Sequence, residues 1–426
     1  MAQRPSLLDD AKLAANLNLT RLALWRLRRR GDLIARLESA TKSDDPYPLY
    51  EVVRRQGILT PGKFGIAISA SHALASQLLR SPAMGHGARQ QDGPPPGAAR
   101  EDTVHPIHDA FIVMNPPDHT RLRRLVSGAF TPRGLERLRP SIQRISDRLL
   151  DRLDGRSGFD LVDSYAAPLP IQVICELLGV PYAERSQFAR WGATVGATID
   201  RVTSVRQAHQ LDRTVVELNR FFGDLIELRR REPGEDLLSQ ILVAEEPLER
   251  RDVMATCLLL FVAGFETTVN LIGNGVLALL RHPEQLERVR ERPELAPDLV
   301  EEVLRFDAPV QRTGRTVFTE FEAGGTVLRE GQIVLFLLGG ANRDPEVFER
   351  PREFDVGRPN AREHLAFAGG IHYCLGAALA RLEGEVAFRG LVERLPRLEL
   401  AGPARRRPSQ IIRGPLHLPL RVRRRP

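Results

Sequence analysis

Cys374 lies in a short stretch, "FAGGIHYCLGAALAR" from Phe367 to Arg381, whose residue types could do chemistry. Its neighbouring glycines let the backbone approach a flat ligand closely, and an apolar helix pattern follows. Free amides and the dipole at a helix start stabilise a thiolate, which can serve as a nucleophile or a metal ligand. A nucleophile needs a partnered base, and His372, only two residues away, is poorly placed for that. The remaining alternative is a buried apolar cysteine.

An acid and an alcohol interrupt the longest apolar run, from Val253 to Leu280. They are Glu266 and Thr267 in "AGFET", and burying such groups costs free energy unless they are used or satisfied. One interpretation is a proton relay. The alternative is a hydrated kink, because Gly264 weakens the helix and a threonine hydroxyl can bond to a backbone carbonyl.

Two further polar pairs occur at helical spacing. Glu302 and Arg305, in "EEVLR", share one helix face and can form an ion pair. His119 and Arg123, in "HTRLR", also share one face. Each pair is either an ordinary solvated surface pair or part of a site, and the spacing alone leaves both interpretations open.

The cysteine stretch resembles the haem-binding signature FGxGxHxCxG of the cytochrome P-450 monooxygenases. The residues that match this signature are Phe367, Gly370, His372, Cys374 and Gly376. Ala368 replaces the usual first glycine, which adds one methyl group, and we expect little effect from it. The resemblance covers residues 45–426, with its motifs in the expected order, and is closest to the soluble bacterial type.

The resemblance implies haem b (iron protoporphyrin IX) as the cofactor, with Cys374 as the iron ligand. It implies that Thr267 binds the oxygen substrate and that Glu266 helps to deliver protons. The residues implied to bind haem are Phe367, Cys374 and Gly376, together with the propionate contacts His119, Arg123, Arg315 and His372. Glu302, Arg305 and Arg358 correspond to a structural triad that would hold the irregular 342–366 loop.

The implied reaction inserts one oxygen atom of O2 into an apolar small molecule, by hydroxylation or epoxidation, in secondary metabolism (a polyketide, macrolide, terpenoid or steroid). The expected substrate contacts are Ala263, Phe265 and Val310, with the 83–108 loop and the 191–206 region. Electrons would come from a ferredoxin and an NAD(P)H-dependent reductase. Exposed arginines that could attract an acidic partner are Arg121, Arg124 and Arg362. The alternatives are a catalytically silent accessory protein of the same fold and a peroxide-driven haem enzyme.

The pattern of apolar residues favours a globular protein that is mainly α with a minor β part. The resemblance implies the cytochrome P-450 fold, with a long central helix over the haem. Of its 426 residues, 61 are basic and 54 acidic, but the arginines are spread along the chain, which argues against nucleic-acid binding. Three widely spaced cysteines without a CxxC pair argue against a disulfide framework or a zinc knuckle and fit a reducing cytoplasm.

The expected organisation is an N-terminal extension over 1–44 and a single haem-thiolate domain over 45–426. The start of the chain lacks the pattern of a secretory signal. Charged and amide residues in the long apolar run argue against a membrane span and favour a central helix. Gly324-Gly325 predicts a β-hairpin. We expect a cytoplasmic monomer.

Overall fold

The computed structural model of the protein describes residues 7–39, 45–62, 65–87, 103–200, 202–243, 248–395 and 397–422. Helices dominate, and short strands form small sheets, so the predicted class, mainly α with a minor β part, is confirmed. Most of the predicted 83–108 substrate loop lies outside the described residues.

Sixteen α-helices occur in the described part of the chain. They are α1 Leu7–Arg29, α2 Leu33–Ser39, α3 Tyr47–Gln56, α4 His72–Leu78, α5 Asp118–Ser127, α6 Pro132–Glu136, α7 Arg139–Asp151, α8 Pro168–Leu177, α9 Arg185–Gly196, α10 Val205–Arg231, α11 Leu237–Leu242, α12 Arg250–Arg281, α13 Pro283–Glu291, α14 Ala296–Phe306, α15 Leu338–Ala341 and α16 Ala377–Arg394.

The strands are short. They are β1 Thr60–Pro61, β2 Ile66–Ser69, β3 Met84–Gly85, β4 Gly158–Asp160, β5 Thr313–Val317, β6 Phe321–Ala323, β7 Thr326–Leu328, β8 Ile333–Phe336, β9 Leu398–Leu400, β10 Arg405–Arg406, β11 Pro415–His417 and β12 Pro419–Val422. A five-stranded sheet has the order β1-β2-β8-β5-β3, in which only β2 and β8 run parallel. A three-stranded sheet, β4-β12-β9, joins the end of the chain to residues 158–160.

The helix α12 is the centre of the molecule, as predicted. It lies against α8, α9, α10, α14 and α16, and its apolar side chains form the largest core cluster. Among the described residues it is the one helix long and apolar enough to cross a membrane, and 83% of its most apolar stretch is buried inside the protein. A long apolar helix in this position is a core helix.

The predicted hairpin forms between β6 and β7, with Phe321 opposite Leu328 and Ala323 opposite Thr326. Its two-residue turn, Gly324 and Gly325, has φ values of 59° and 71°. This left-handed region favours glycine, which explains why the dipeptide marks the turn.

The N-terminal segment is helical and contacts the rest of the chain. On α1, Asp10 lies 2.9 Å from the Nε2 atom of His209 on α10. On α2, Glu38 pairs with Arg312 at 2.8 Å, and Leu37 is buried in a small cluster with α3. The described part of the predicted 1–44 extension is therefore helical.

Candidate functional site

The site is assembled from four separate elements. α12 carries the acid and the alcohol, α5 carries His119 and Arg123, and β5 carries Arg315. Cys374 lies at the end of the long irregular stretch after α15, three residues before α16 begins. Such a stretch inside a compact domain is typical of a functional segment.

The cysteine loop is held by its own backbone. The amide of Cys374 donates to the carbonyl of Phe367 at 3.0 Å, and the amide of Ala377 donates to the carbonyl of Cys374 at 3.3 Å. Gly370 has a φ of 67°, and a Cβ atom there would collide with the carbonyl of Leu79. This glycine is therefore required both by its conformation and by its close neighbour.

Cys374 differs from the other two cysteines because its side chain is exposed whereas theirs are buried. Burial nevertheless raises the pKa of the Cys374 thiol, and the Gly376 amide and the Arg123 and Arg381 guanidiniums oppose that rise. A side chain that is both accessible and surrounded by protein borders an internal space, not bulk water. Burial raises the pKa of Cys175 and Cys257 to about 12, so these thiols are inert.

Three histidines and two arginines gather beside this loop. The ring of His372 lies 4.3 Å from that of His119 and 4.5 Å from that of His86, between centroids. Burial and the positive groups around it lower the pKa of His372 to about 2, so its imidazole is neutral. Arg123 donates to the carbonyl of Tyr373 at 2.5 Å. Three of the four predicted propionate contacts, His119, His372 and Arg123, thus lie together.

Arg315, the fourth predicted propionate contact, is a buried cation. It is 5% exposed, and its Nη1 atom donates to Thr313 Oγ1 at 3.0 Å and to the Gly314 carbonyl at 2.8 Å. Within the described residues no carboxylate pairs with it, and burial alone lowers its pKa to about 10. An unpaired buried cation is costly, and its position indicates that an anion belongs beside it.

Buried polar atoms of this cluster that lack hydrogen-bond partners fit the two carboxylates of a haem. In the part of the chain that the structure describes, both ring nitrogens of buried His119 and the Nε2 atom of His372 lack a hydrogen-bond partner. A Cβ atom at Gly376 would meet open space, as a flat ring lying over this residue requires. Together these residues offer donors for two anionic groups, a thiolate ligand and a glycine-lined face.

The acid and the alcohol on α12 face different surroundings. Ala263 is exposed and Thr267 is half-buried, although the helix around them is buried. The Thr267 hydroxyl donates to the Ala263 carbonyl at 2.9 Å. Glu266 is 1% exposed and accepts a bond from Asn270 at 3.1 Å. The threonine therefore lines an accessible space and the glutamate points into the protein.

The residues predicted as a structural triad lie in contact. Arg305 makes two bonds of 2.7 Å to the carboxylate of Glu302, and both side chains have no exposed surface. Arg358 approaches the same carboxylate at 3.3 Å. The two arginines also donate to backbone carbonyls of the irregular segment, at Asn342, Glu349, Arg350, Pro351 and Glu353.

A second brace, between α14 and α16, was not predicted from the sequence. Glu301, the neighbour of Glu302, binds Arg381 on α16 at 2.6 Å and lies 3.2 Å from His364. Although burial opposes it, these partners lower the pKa of Glu301 to about 2. Arg381 also stacks over the Phe367 ring at 4.7 Å. The doubled acid in "EEVLR" was the available signal for this contact.

The predicted substrate contacts differ in their exposure and in the residues that they touch. Ala263 is accessible, and Val310 forms a bridge with Ile412 of the C-terminal region. Phe265 is 5% exposed, and its ring occupies the space beside Gly192 on α9. Trp191 is buried, and its indole donates to Glu217 at 2.7 Å.

The three arginines proposed for partner attraction are not equally exposed. Arg121 is half-buried and binds Asp252 at 2.9 Å, so describing it as exposed was wrong. Arg124 is exposed, and the side chain of Arg362 is 71% exposed, 3.9 Å from Asp298. Ile371 and Tyr373, which flank the cysteine loop, are also exposed.

Comparisons with known proteins agree with this geometry. The family model "Cytochrome P450" matches residues 203–401. The chain is 39% identical over 406 residues, 92% of each chain, to "Putative cytochrome P450 140" of Mycobacterium tuberculosis. It is 44% identical to "6-deoxyerythronolide B hydroxylase" of Saccharopolyspora erythraea, over 72% of this chain and 76% of that one.

A solved structure gives the same answer for the fold. The crystal structure of P450BioI in complex with hexadec-9Z-enoic acid ligated acyl carrier protein has a TM-score of 0.84 and 36% identity, over 90% of this chain and 99% of that one. Similarity that extends over nearly the whole chain reaches well beyond a shared haem-binding loop. The chain therefore belongs to the cytochrome P450 family, whose members carry haem and receive electrons from outside, and it is a P450 monooxygenase.

Proposed function

We propose that the protein hydroxylates or epoxidises an apolar small molecule of secondary metabolism, of the polyketide, macrolide, terpenoid or steroid type. The observation that carries this proposal is Thr267, a hydroxyl at an accessible position on the otherwise buried central helix, with an acid beside it in sequence. A relative named as a hydroxylase and a neighbour solved with an acyl carrier protein support an apolar substrate of this kind.

Haem, when bound, supplies the activation of dioxygen. Cys374 would provide the thiolate ligand, because the Gly376 amide and Arg123 favour its ionised form. His119, His372 and Arg315 would hold the propionates. Among the described residues, ring nitrogens of the two histidines have no hydrogen-bond partner, and no carboxylate pairs with the buried Arg315. Neutral histidines and charged arginines together balance two carboxylates without excess positive charge.

Proton delivery would fall to Thr267 and Glu266. The Thr267 Oγ1 atom donates to the Ala263 carbonyl, and rotation about its Cα–Cβ bond would turn that hydrogen toward the accessible space. Glu266 is the acid from which Thr267 would be resupplied, because burial raises the pKa of its carboxyl and so favours the proton-bearing form.

The substrate would contact the surface near Ala263, whose small side chain leaves room, and the strand region around Val310 and Ile412. We propose a ferredoxin as the electron donor, with an NAD(P)H-dependent reductase behind it. Exposed Ile371 and Tyr373, with the charge of Arg362 elsewhere on the surface, could bind an acidic protein.

The test begins with a spin-shift screen of macrolides, steroids, terpenoids and free fatty acids against the purified haem protein. Turnover of the best ligand is then followed with a ferredoxin, its reductase and isotopically labelled dioxygen. We expect one labelled oxygen atom in the product, and a lower product yield per NAD(P)H for Thr267→Ala. Turnover driven by hydrogen peroxide alone, or no turnover of any ligand that shifts the spin state, would contradict the proposal.

A further inference from the structure

The carboxylate of Glu266 is turned toward the C-terminal hairpin. Its Oε1 atom lies 2.7 Å from the Nη2 atom of Arg407, and the side chains are 2% and 12% exposed. On its other side, the Oε2 atom fills the space where a Cβ atom at Gly196, the last residue of α9, would lie. An acid on the central helix is thus paired with a cation from a segment about 140 residues further along the chain.

Arg407 is itself held in place by the hairpin. It directly follows β10, and its amide donates to the Gly414 carbonyl at 3.1 Å, just before β11. Next to it, Arg406 donates to Asn274 of α12 at 3.2 Å and pairs with Asp307 at 3.1 Å. The root of the hairpin is therefore fixed against the same helix that carries Glu266.

The tip of the hairpin is bound to the connection between α9 and α10. Asp200 accepts bonds from the Ser409 hydroxyl at 2.9 Å, the Gln410 amide at 2.6 Å and the Ile411 amide at 2.9 Å. One carboxylate thus fixes three successive residues that begin two positions after Arg407. A movement of the α9–α10 connection would therefore be transmitted to the Glu266–Arg407 pair through one short loop.

Charge explains why the pair is needed. Burial raises the pKa of Glu266, and the Arg407 guanidinium and the Asn270 amide oppose that rise. Among the described residues that contact this carboxylate from α9, α12 and the hairpin, Arg407 is the charged one. Removing one partner of a buried pair leaves the other charge uncompensated, so the remaining carboxyl would bind its proton more tightly.

We propose that Arg407 is the positioning residue for Glu266: it holds the carboxylate in a buried ion pair on the hairpin side of α12, and Asp200 fixes Arg407 through the hairpin tip. Glu266 then reaches Thr267 only when this pair opens. The pairing does not depend on turnover, and its consequence for proton delivery rests on the function proposed above.

The experiment is an infrared titration of the haem-loaded, substrate-free protein. The carbonyl stretch of protonated Glu266 is assigned by its loss in Glu266→Gln, and its midpoint is measured in Arg407→Gln, Arg407→Lys and Asp200→Asn. Arg405→Gln, at an exposed arginine on the adjoining strand β10, is the matched control. Thermal unfolding and the haem spectrum establish that each variant is folded.

We expect the midpoint of Arg407→Gln to rise by about 1–3 pH units, because an opposite charge at this range lowers a carboxyl pKa by that amount. Arg407→Lys and Arg405→Gln should stay near the wild type, and Asp200→Asn should rise by less than Arg407→Gln. An unchanged midpoint in Arg407→Gln would overturn the assignment. A shift there with none in Asp200→Asn would overturn the link through the hairpin tip.

A turnover measurement separates this proposal from the function on which it rests. If Arg407→Gln raises the midpoint but the wild type oxidises none of the ligands that shift its spin state, the ion pair stands and the proposed function fails. If the wild type is an active monooxygenase and the midpoint does not move, the function stands and the role of Arg407 is wrong.

Discussion

Ala368 is the residue at which this chain departs from the family signature. The sequence suggested that one added methyl group would have little effect. In the structure Ala368 has a φ of 57°, in the left-handed region that favours glycine. The cost therefore lies in the backbone conformation, and no local pattern in the sequence reveals it.

Replacing Ala368 by glycine should relieve this strain. A left-handed conformation costs a non-glycine residue about 1–2 kcal/mol, which offsets the chain entropy that glycine adds to the unfolded state. Ala380→Gly, inside α16, has no such compensation and should lower the free energy of unfolding by about 1 kcal/mol. Urea unfolding of both variants checks this, and an equal loss in the two would show that Ala368 is unstrained.

Glu383 is a buried acid for which the mechanism has no use. It is 2% exposed, and within the described residues its Oε2 atom has no hydrogen-bond partner. Burial raises the pKa of its carboxyl to about 8, so the folded protein keeps the proton at neutral pH. The unfolded chain releases that proton near the ordinary glutamate pKa of about 4.3.

This raised pKa makes stability depend on pH. Between about pH 4.3 and 8 the folded state binds the extra proton, so the contribution of Glu383 falls as the pH rises, by up to about 1.4 kcal/mol per unit. Glutamine does not titrate. The free energy of unfolding of Glu383→Gln should therefore rise relative to that of the wild type as the pH increases from about 5 to about 8. Parallel curves over this range would contradict the prediction.

At the scale of elements, spacing predicted what lies within one helix and failed across helices. Glu302 and Arg305 were expected to share a face of α14, and they do. The contact of Arg358, 53 residues after Arg305 in the sequence, came from family resemblance alone. The brace from Glu301 to Arg381 and the Glu266–Arg407 pair were not predicted, because each joins distant segments whose residues are common on protein surfaces.

Among these contacts, those of Arg305 should contribute most to stability. Arg305→Gln leaves Glu302 with a weaker partner and deprives the Asn342 and Pro351 carbonyls of their donor, so we expect a loss of about 3–5 kcal/mol. Arg350→Gln breaks only exposed pairs, with side chains 60% and 58% exposed in the pair with Glu353, and should cost less than about 1 kcal/mol. Similar urea midpoints for the two variants would show that the triad is not structural.

At the scale of the molecule, composition and hydropathy were sufficient to predict the fold class and the central helix. A long apolar run interrupted by polar residues is stable only inside a protein. Among the short strands, the β6–β7 hairpin was located by its glycine turn. That His119, His372 and Arg315 lie together was predictable only from the family resemblance. His86, which lies beside them, was not predicted. Contacts of this kind depend on which loops the fold brings together, and no periodicity records them.

The proposed chemistry depends on Cys374 binding haem iron as a thiolate. The most direct measurement is the absorption spectrum of the reduced, carbon monoxide-bound protein, in the wild type, Cys374→Ser and Cys257→Ser. We predict the long-wavelength Soret band of a thiolate ligand in the wild type and in Cys257→Ser, and its loss in Cys374→Ser. A wild-type band at the shorter wavelength typical of an imidazole ligand, or a long-wavelength band that survives in Cys374→Ser, would contradict the account.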